Sequence, residues 1–507
     1  MSSSDEEKTQ VGDVDAPELE SKEEEHVWVY ETLSFPREAL FVTVICMGHF
    51  CTQAGQLPTL VLLRTIGKEF GVTTSSDLAW LMAGYALTVG TFILFSGRLG
   101  DVFGYKRMLI IGFAWFSVWS LVAGLSVYSN FTLMVFARVL QGIGPAICLP
   151  NGLALAGAAY PPGHRKAMVF ALFGSVAPSG AVISAIMASV LDMAWWPWAY
   201  WVFAIFLAFL AVLGAFVVPH IPVKEAPPKD LKSLVTVLDL PGAVVGVTSL
   251  VLFNFAWVQA PGSGWNTPTV IAPLVLGIVL FAAFAVIESR FSPMPLLPLK
   301  AITVDIGLVL GAMAFGWATF GIWILYLSQL IEDIRGHGPL LTSLWFCPTI
   351  IAGGLAGILT GKLLGPFQVK PPVLMTISLL AFFTGSTLVA FAPTDQVYWG
   401  QIFVAMVIMP FGMDMSFPAA TLILSDNVPP EHQGIGASLV NTVINYGIAL
   451  GVGIAGTVEI HVNRGGLTKE DRLDGYRGAL YMSMGMAILG LLICLVFLAR
   501  GFSTHKR

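Results

Sequence analysis

Fourteen long apolar runs are the feature of this sequence that most restricts its fold. A helix needs about 20 mostly apolar residues to cross the roughly 30 Å hydrocarbon core of a bilayer. The 507-residue chain is 56% hydrophobic and 11% charged, whereas soluble domains carry about 25% charged residues. We therefore predict an all-α polytopic membrane protein. The predicted spans, numbered 1 to 14 along the chain, cover residues 39–63, 78–96, 107–129, 131–157, 167–191, 198–219, 241–259, 268–288, 305–330, 340–361, 372–393, 398–425, 434–460 and 478–499.

The distribution of Lys and Arg predicts that both chain termini are cytoplasmic, because cytoplasmic segments of membrane proteins are enriched in these residues. With the N-terminus inside, the inside segments hold 18 of the 26 basic residues and the outside segments hold seven. The remaining one, Arg138, lies within span 4. If one span were miscounted, the basic segments would no longer fall on the inside throughout the chain. The distribution of Lys and Arg therefore also supports an even number of spans.

The N-terminal segment differs in character from the rest of the chain. Residues 1–26 hold ten acidic residues and two lysines, a net charge of −8, and too few apolar side chains to bury a core. We predict that residues 1–38 form a disordered acidic tail on the cytoplasmic side. The segment lacks the basic start and apolar core of a cleaved signal peptide.

The loops and cysteines carry few signals of chemistry. The five cysteines show no paired or metal-like spacing, so neither a disulfide framework nor a metal site is predicted. Asn130 begins an Asn-Phe-Thr glycosylation sequon on the predicted outer side. Because its loop is very short, modification of Asn130 is not favoured.

An internal repeat relates spans 4 and 12. The stretches GIGPAICLPNGLALAGAAYPPGH (142–164) and PFGMDMSFPAATLILSDNVPPEH (410–432) align without a gap at an offset of 268. This offset pairs Gly144 with Gly412, Pro150 with Pro418, Pro161-Pro162 with Pro429-Pro430, and His164 with His432. Repeated halves are common in transporters, and the spacing indicates six spans, two inserted spans and six more. The predicted organisation is a bundle at 39–219, a cytoplasmic linker at 220–240, inserted spans at 241–288, a second bundle at 289–499 and a cytoplasmic tail at 500–507.

A glycine-rich and basic segment follows span 2. It reads Gly97-Arg-Leu-Gly-Asp101, then Gly104-Tyr-Lys106-Arg107. Its glycines allow a tight turn, and Asp101 can accept hydrogen bonds from a basic side chain or a helix N-terminus. Such a contact would hold one arrangement of the bundles, so we predict a conformational gating role for these residues. The alternative is a basic loop that only sets orientation.

Spans 4 and 5 add two further patterns. Arg138 and Gln141 are three residues apart and share a helix face; an arginine at this depth costs about 2.5–3.5 kcal/mol unless it meets partners or water. The alternatives are an arginine that binds neighbouring helices or one that reaches outward. Span 5 carries a stripe of small residues that allows close helix approach, including Gly174 and Gly180 with Pro178 nearby, and ordinary helix packing explains it as well as a special function does.

These motifs resemble the major facilitator superfamily. The segment 97–107 is similar to its loop 2–3 signature, Arg138 to Gly142 is similar to its Arg-x-x-x-Gly pattern, and the Gly174 to Gly180 region is similar to the antiporter motif without the adjacent Gly-Pro pair. Fourteen spans and the run FPAATLILSDNVPPEHQGIGASLVNTVINYGIALGVGIAGTVE resemble fungal fourteen-span drug:proton antiporters, nearest the aminotriazole/boron-resistance-like branch. The resemblance implies the major facilitator fold, with two six-helix bundles and two extra central helices. It also implies a place in the plasma membrane, with the vacuolar membrane as the alternative.

An antiporter needs a group that binds a proton on one side and releases it on the other, as a buried carboxyl can. Asp414, in the middle of span 12, is the clearest acidic candidate, whereas Asp239, Glu288 and Asp305 lie near span ends, where water or lipid headgroups are expected. Many relatives carry an Asp in span 1, but this chain has His49 and Gln53 there. The full set of proton-coupling or substrate candidates is Asp414, Arg138, Gln141, His49, Gln53, Asn151, Asn441 and Asn445.

The resemblance implies a proton-coupled secondary transporter that exports small amphiphilic compounds, such as drugs, toxins or secondary metabolites, by alternating access. A carrier of a small polar solute such as ammonium or borate is the alternative within transport, and a transporter-like sensor is the alternative outside it. An enzyme is not expected, because the histidines do not cluster and no phosphate-binding Gly-x-x-x-x-Gly-Lys-Ser/Thr loop occurs. We expect a monomer whose partners are the bilayer, protons and a small-molecule substrate, with no cofactor and no nucleic acid.

Overall fold

A computed structural model describes residues 29–161, 163–221, 228–297, 302–427 and 433–504. These residues form helices joined by short loops, and no strand occurs among them. Fourteen of the helices are long and apolar enough to span a membrane, which confirms the predicted all-α membrane fold and the span count. The observed spans 1 to 14 are Phe35–Val61, Ser75–Phe103, Tyr105–Tyr128, Phe131–Ala159, Met168–Asp192, Pro197–Val217, Leu240–Ser263, Pro268–Phe291, Val304–Ile334, Pro339–Leu364, Pro371–Ala390, Gln401–Leu424, Ser438–Val462 and Lys469–Arg500.

Span 14 starts at Lys469, well before residue 478, where the sequence predicted its start. The charges of this first part argued for a loop, but a reciprocal capping box starts the helix. The Asp471 backbone N–H donates to Thr468 Oγ1 at 3.1 Å, and the Thr468 N–H donates to the Asp471 carboxylate at 3.3 Å. The charged segment therefore extends span 14.

Helical structure occurs within both the predicted tail and the predicted linker. Residues 1–28 and 222–227 lie outside the described residues, but Val29–Thr32 forms a 3₁₀ helix and span 1 begins at Phe35. Tyr160 contacts the first turn of span 1, where its hydroxyl donates to Glu38 at 3.0 Å. Burial and the Glu38 carboxylate raise the pKa of Tyr160. Within the linker, Leu231–Val237 is helical.

The six N-terminal spans pack mainly on one another, as do the six C-terminal spans. Span 1 lies against span 5 and span 3 against spans 4 and 6, while span 11 lies against span 12 and span 9 against spans 13 and 14. Two contacts show the internal repeat in three dimensions. An alanine Cβ at Gly144 would lie 2.5 Å from Phe116 of span 3, and one at Gly412 would lie 2.8 Å from Phe382 of span 11. At the aligned positions Gly144 and Gly412, the lack of a side chain therefore leaves room for an aromatic ring of the neighbouring span.

The inserted span 7 covers one of the two lines along which the halves meet. It packs against span 2 of the first half and span 13 of the second. The Trp80 indole N–H donates to Gln259 at 3.2 Å, and the Tyr446 hydroxyl donates to the Leu250 carbonyl at 3.2 Å. Span 8 packs on span 7 and leaves most of its own surface exposed.

Candidate functional site

Asp414 lies where span 12 meets the contact between the two halves. Its Oδ2 is 2.8 Å from the position that a Cβ would take at Gly353 of span 10, and that position is 3.0 Å from Pro178 Cγ of span 5. Asp414 Oδ2 is buried and has no hydrogen-bond partner among the described residues. The structure therefore places an unsatisfied carboxyl oxygen beside the first-half residue Pro178.

Pro418 modifies the helix at the same place. Proline has no backbone N–H, so the Asp414 carbonyl loses its usual partner four residues along the helix. The Thr360 hydroxyl of span 10, which donates to the Ala356 carbonyl at 2.8 Å, also lies 3.4 Å from the Asp414 carbonyl oxygen. The helix continues from Gln401 to Asn427 through Pro410 and Pro418. Both the backbone and the side chain of Asp414 thus face span 10.

A network of charged and polar side chains joins the two halves at one end of the molecule. We call it the Arg64 network; it consists of Arg64, Ser75, Gln329, Asp333, Arg472 and Tyr476. The Asp333 carboxylate lies 2.9 Å from Arg64 Nη2 and 2.8 Å from Arg472 Nε, and it accepts from the Tyr476 hydroxyl at 2.9 Å.

The Arg64 network crosses the boundary between the halves. Arg64 belongs to the short helix Leu63–Glu69 after span 1, whereas Asp333 belongs to the last turn of span 9, which is π-helical. Gln329 accepts from Ser75 at 3.3 Å. Arg64 of the first half therefore contacts three side chains of the second half, Gln329, Asp333 and Tyr476.

Two carboxyl groups that were not predicted as candidates lie near this network. Glu459 near the end of span 13 is 4% exposed and accepts from the Tyr326 hydroxyl at 2.8 Å. Glu332 lies beside Asp333, and its Oε1 is buried without a hydrogen-bond partner among the described residues. Their positions near predicted span ends made them look solvent-exposed. For Glu332, the sequence predicts the end of span 9 at residue 330, whereas the helix continues to Ile334.

Asp239 and Glu288 were expected to meet water or headgroups, and this expectation is wrong, since both are 4% exposed. Each carboxylate instead accepts from a backbone N–H of the segment after span 8. Asp239 receives that of Leu296 at 3.3 Å and Glu288 that of Leu297 at 3.1 Å. They hold a connecting segment in place.

The contact between spans 5 and 10 opens toward the end opposite the Arg64 network. Near the network, Ser189 Oγ of span 5 is 2.8 Å from Ser343 Oγ of span 10. Toward the opposite end, no described atom lies within 4 Å of a Cβ built at Gly174, Gly357 or Gly361. The predicted packing role of Gly174 is therefore not seen, because it lies in open space. The halves touch at the network end and in the middle, and separate beyond.

Pro178 and Gly180 both lie close to other helices. A Cβ at Gly180 would lie 2.4 Å from the Phe50 carbonyl oxygen of span 1, so only glycine allows this helix approach. Asn130 is exposed and caps span 4, where its side chain accepts from the Leu133 N–H at 2.8 Å. These contacts do not test the glycosylation of Asn130, which its short loop disfavours.

Arg138 and Gln141 form a buried polar cluster inside the first half. Arg138 donates through Nε to the Leu81 carbonyl at 3.0 Å and through Nη1 to Gln141, and its guanidinium lies 4.6 Å from the centre of the Tyr85 ring. Gln141 donates to Ser120 at 2.6 Å. Arg138 is fully buried, and its Nη2 has no partner among the described residues.

The remaining polar candidates do not join Asp414 in one cluster. His49 contacts the Phe173 carbonyl at 2.8 Å and stacks on the Phe173 ring. Gln53 is half-buried on span 1. Asn151 donates to the Ser96 carbonyl at 3.2 Å. These contacts all lie within the first half.

Asn441 and Asn445 lie one turn apart on span 13, and Asn445 lies against span 2 of the first half. Asn445 donates to the Asn441 carbonyl at 3.0 Å, and a Cβ at Gly90 would lie 3.2 Å from Asn445 Cβ. Asn445 therefore belongs to the contact of spans 2 and 13, away from the contact of spans 5 and 10.

The glycine-rich segment after span 2 forms the predicted tight turn. Gly104 ends span 2 at φ 96°, a conformation that favours glycine. Asp101 accepts from the Tyr105 hydroxyl at 2.7 Å and forms no ion pair among the described residues. Lys106 is half-buried and Arg107 exposed.

Two further contacts tie this segment to its surroundings. Gly97 lies near Ser438 of span 13, with 3.7 Å between the glycine's Cβ position and Ser438 Oγ. Arg98 donates to the carbonyls of Met294 and Pro295 at 3.0 and 2.9 Å. The gating role of the segment remains a prediction.

Comparisons with known proteins identify relatives along nearly the whole chain. The chain is 48% identical over 473 residues to a low affinity ammonium transporter of Saccharomyces cerevisiae, covering 93% of this chain and 90% of the relative. It is 39% identical over 491 residues to the efflux pump terG of Aspergillus terreus, covering 96% and 92%. It is 36% identical over 481 residues to the aminotriazole resistance protein of S. cerevisiae, covering 93% and 86%.

Solved structures show the same fold at low sequence identity. A crystal structure of the peptide transporter POT in complex with sulfate superposes with a TM-score of 0.65 at 16% identity, covering 91% of this chain and 94% of the other. The family model described as Major Facilitator Superfamily matches residues 45–452 and 339–507. With these matches and fourteen helical spans, the chain belongs to the major facilitator superfamily, in its fungal fourteen-span drug antiporter branch.

Proposed function

We propose that this transporter couples proton movement to the export of small amphiphilic compounds by alternating access, and that Asp414 carries the proton. The observation that supports this most directly is the position of Asp414. Its unsatisfied Oδ2 faces Gly353 of span 10 beside Pro178 of span 5, so a change in its charge acts at the contact of the two halves.

The physical argument concerns the cost of a buried charge. A carboxylate oxygen that is buried without a hydrogen-bond partner disfavours the charged form, whereas the protonated carboxyl is tolerated. Protonated Asp414 therefore suits the closed contact between spans 5 and 10. Loss of the proton favours an arrangement in which water or a substrate reaches the carboxylate, and this difference between states is what coupling requires.

The Arg64 network supplies the second element of the cycle. Asp333 binds Arg64 across the halves at one end, while the glycines of span 10 face open space toward the other. Alternating access would require these ion pairs to separate when the Arg64 end opens. By the positive-inside distribution of Lys and Arg, that end faces outward.

The similarity to the efflux pump terG and to the aminotriazole resistance protein supports export of amphiphilic or small heterocyclic compounds. To test it, the purified protein is reconstituted in liposomes containing the pH-sensitive dye pyranine, and an inward or outward pH gradient is imposed. Adding aminotriazole is expected to dissipate the gradient through the wild type. An uncoupler should abolish any accumulation of the compound.

Asp414→Asn tests the carrier of the proton, since asparagine keeps the shape but cannot release a proton. We expect the variant to lose gradient-driven transport by at least about tenfold, an effect of about 1.4 kcal/mol on the coupled step. Asp305→Asn is the matched control, because Asp305 is exposed and pairs with Arg500 within the second half. Wild-type transport with unchanged pH dependence in Asp414→Asn would contradict the proposal.

A second candidate function is transport of a small polar solute. The similarity to the low affinity ammonium transporter favours this alternative. Methylammonium and borate, tested in the same liposomes, distinguish the two. Saturable methylammonium flux without any response to aminotriazole or amphiphilic dyes would replace the export proposal, and absence of flux for every compound would favour a sensor.

A further inference from the structure

A crevice between spans 5 and 6 has no role in the proposed transport cycle. Its volume is about 320 Å³, and residues of spans 1, 4, 5 and 6 line it. Ile183 and Met187 form its rim on span 5 and are 49% and 53% exposed. In a bilayer this rim faces hydrocarbon, because spans 5 and 6 lie at the edge of the first half. Asp414 and the Arg64 network do not line it.

The floor of the crevice is polar, unlike its walls. Thr59 and Tyr200 lie there, and their hydroxyl oxygens are 2.8 Å apart. Both are buried, at 1% and 4% exposure. Two hydroxyl groups carry two protons, and their mutual hydrogen bond uses one. The other proton is available to an acceptor inside the crevice, beside Gln141, which also lines it.

A buried positive charge lies behind Gln141, outside the lining of the crevice. Arg138 binds Gln141, and its guanidinium keeps its charge in proteins. No carboxylate of the described residues lies within 4.0 Å of it, and its Nη2 lacks a hydrogen-bond partner among them. A buried cation without an anion is costly. The potential behind the crevice floor therefore favours a negative group.

We propose that this crevice binds a single-chain amphiphile with a carboxylate head, a fatty-acid type of ligand taken from the surrounding bilayer. The head lies at Tyr200, Thr59 and Gln141, and the chain runs toward Ile183 and Met187. The volume is at the lower end of small-molecule sites and suits one chain rather than a two-chain phospholipid. The site is separate from Asp414, so the proposal does not depend on the transported substrate.

The test uses the purified full-length protein in phosphatidylcholine nanodiscs. The probe is dodecanoate carrying a diazirine near its methyl end, which is photolysed and mapped by peptide mass spectrometry. We expect labels on the facing segments of spans 5 and 6, around Ile183 and Phe206. Dodecanoate should compete at least about tenfold better than dodecyltrimethylammonium or dodecane, because a charge-assisted head contact contributes about that factor.

Ser184→Trp and Ser175→Trp form a matched pair on span 5. Both serine hydroxyls donate to the carbonyl three residues earlier, but only Ser184 lines the crevice. Ser184→Trp should abolish specific labelling, and Ser175→Trp should retain it. Tyr200→Phe should weaken competition by dodecanoate about fivefold, the effect of one hydrogen bond.

Three results would overturn the proposal: labelling spread over all lipid-facing helices, equal competition by the cationic and carboxylate amphiphiles, or equal labelling of the two tryptophan variants. The competition series is measured on the wild type. Misfolding of a variant therefore cannot hide a negative result.

Discussion

Gly174 and Gly180 occupy one helix and one sequence motif, yet their surroundings differ completely. A Cβ at Gly180 would lie 2.4 Å from the backbone oxygen of Phe50, whereas no described atom lies within 4 Å of one at Gly174. Small residues in membrane helices allow backbones to approach. At Gly180 this approach is made, and at Gly174 the same residue type faces the gap between the halves.

We therefore predict opposite outcomes for two alanine substitutions. Gly180→Ala should lower stability by about 1–3 kcal/mol, because the added methyl group overpacks a contact made with backbone. Gly174→Ala should be neutral or slightly stabilising, because alanine favours helix over glycine by about 1 kcal/mol. Thermal unfolding in detergent, followed by size-exclusion chromatography, measures both. Equal losses in the two variants would contradict the close contact at Phe50.

Among single residues, the sequence reveals some acidic groups inside the protein and conceals others. Asp414 was found because an acidic residue in the middle of an apolar run is conspicuous. Glu332 and Glu459 were missed, since carboxyl groups near span ends are usually hydrated. Their burial depends on which helices meet there and on one additional helical turn in span 9, and neither is written in the local sequence.

At the scale of helices, the ends of spans 9 and 14 form the second half's side of the Arg64 network. Span 9 ends in a π-helical turn that contains Asp333, and the early start of span 14 brings Arg472 and Tyr476 to it. π-helical turns occur frequently at functional sites. The charged first part of span 14 is therefore a helix because it has a partner in span 9.

Asp333→Asn should loosen the Arg64 end of the molecule, because Arg64 and Arg472 would share a neutral amide instead of a carboxylate. The readout is the rate at which maleimide labels a cysteine introduced at residue 189, where the serine is 2% exposed. We expect a rise of about fivefold or more, corresponding to about 1 kcal/mol of lost interaction.

Asp305→Asn is the control for this experiment, because the Asp305–Arg500 pair is exposed and stays within the second half. Surface pairs contribute about 0–1 kcal/mol, so the labelling rate should stay near that of the wild type. An unchanged rate in Asp333→Asn would show that the network does not hold this end closed.

For the whole molecule, the contact between spans 5 and 10 must open and close if access alternates. Ser189 and Ser343 face each other there with 2.8 Å between their hydroxyl oxygens. The pair Ser386 and Ser483 has nearly the same geometry, at 2.9 Å, but joins spans 11 and 14 within the second half. A crosslink at the first pair would block movement between the halves, whereas a crosslink at the second pair would block movement only within the second half.

The double variant Ser189→Cys/Ser343→Cys should stop transport after oxidation and regain it after reduction. Ser386→Cys/Ser483→Cys should keep transport in both conditions, because it links helices that move together. Flux into liposomes before and after a reducing agent measures each. Full activity of the oxidised first pair, with the crosslink verified by mass spectrometry, would contradict movement between spans 5 and 10.

The span count and the general fold could be predicted because hydrophobic length and loop charge are local properties of the sequence. The repeat was also readable, and the matching contacts of Gly144 with Phe116 and Gly412 with Phe382 support it. The sequence did not predict which polar side chains come together in the folded molecule. Arg138 and Asp414 are both polar groups inside their spans, yet they lie in different halves among different partners.

Span 7 has a consequence for how the molecule can move. The halves meet along two lines, and span 7 lies across the one between spans 2 and 13, bonded to both through Trp80 and Tyr446. Among the described residues, no helix lies in the same way across spans 5 and 10. Rotation about an axis near span 7 would therefore produce a large displacement at Asp414 with little at the covered line. The inserted spans 7 and 8 would then support the hinge. A molecule in the bilayer would find a lateral opening only at the contact of spans 5 and 10.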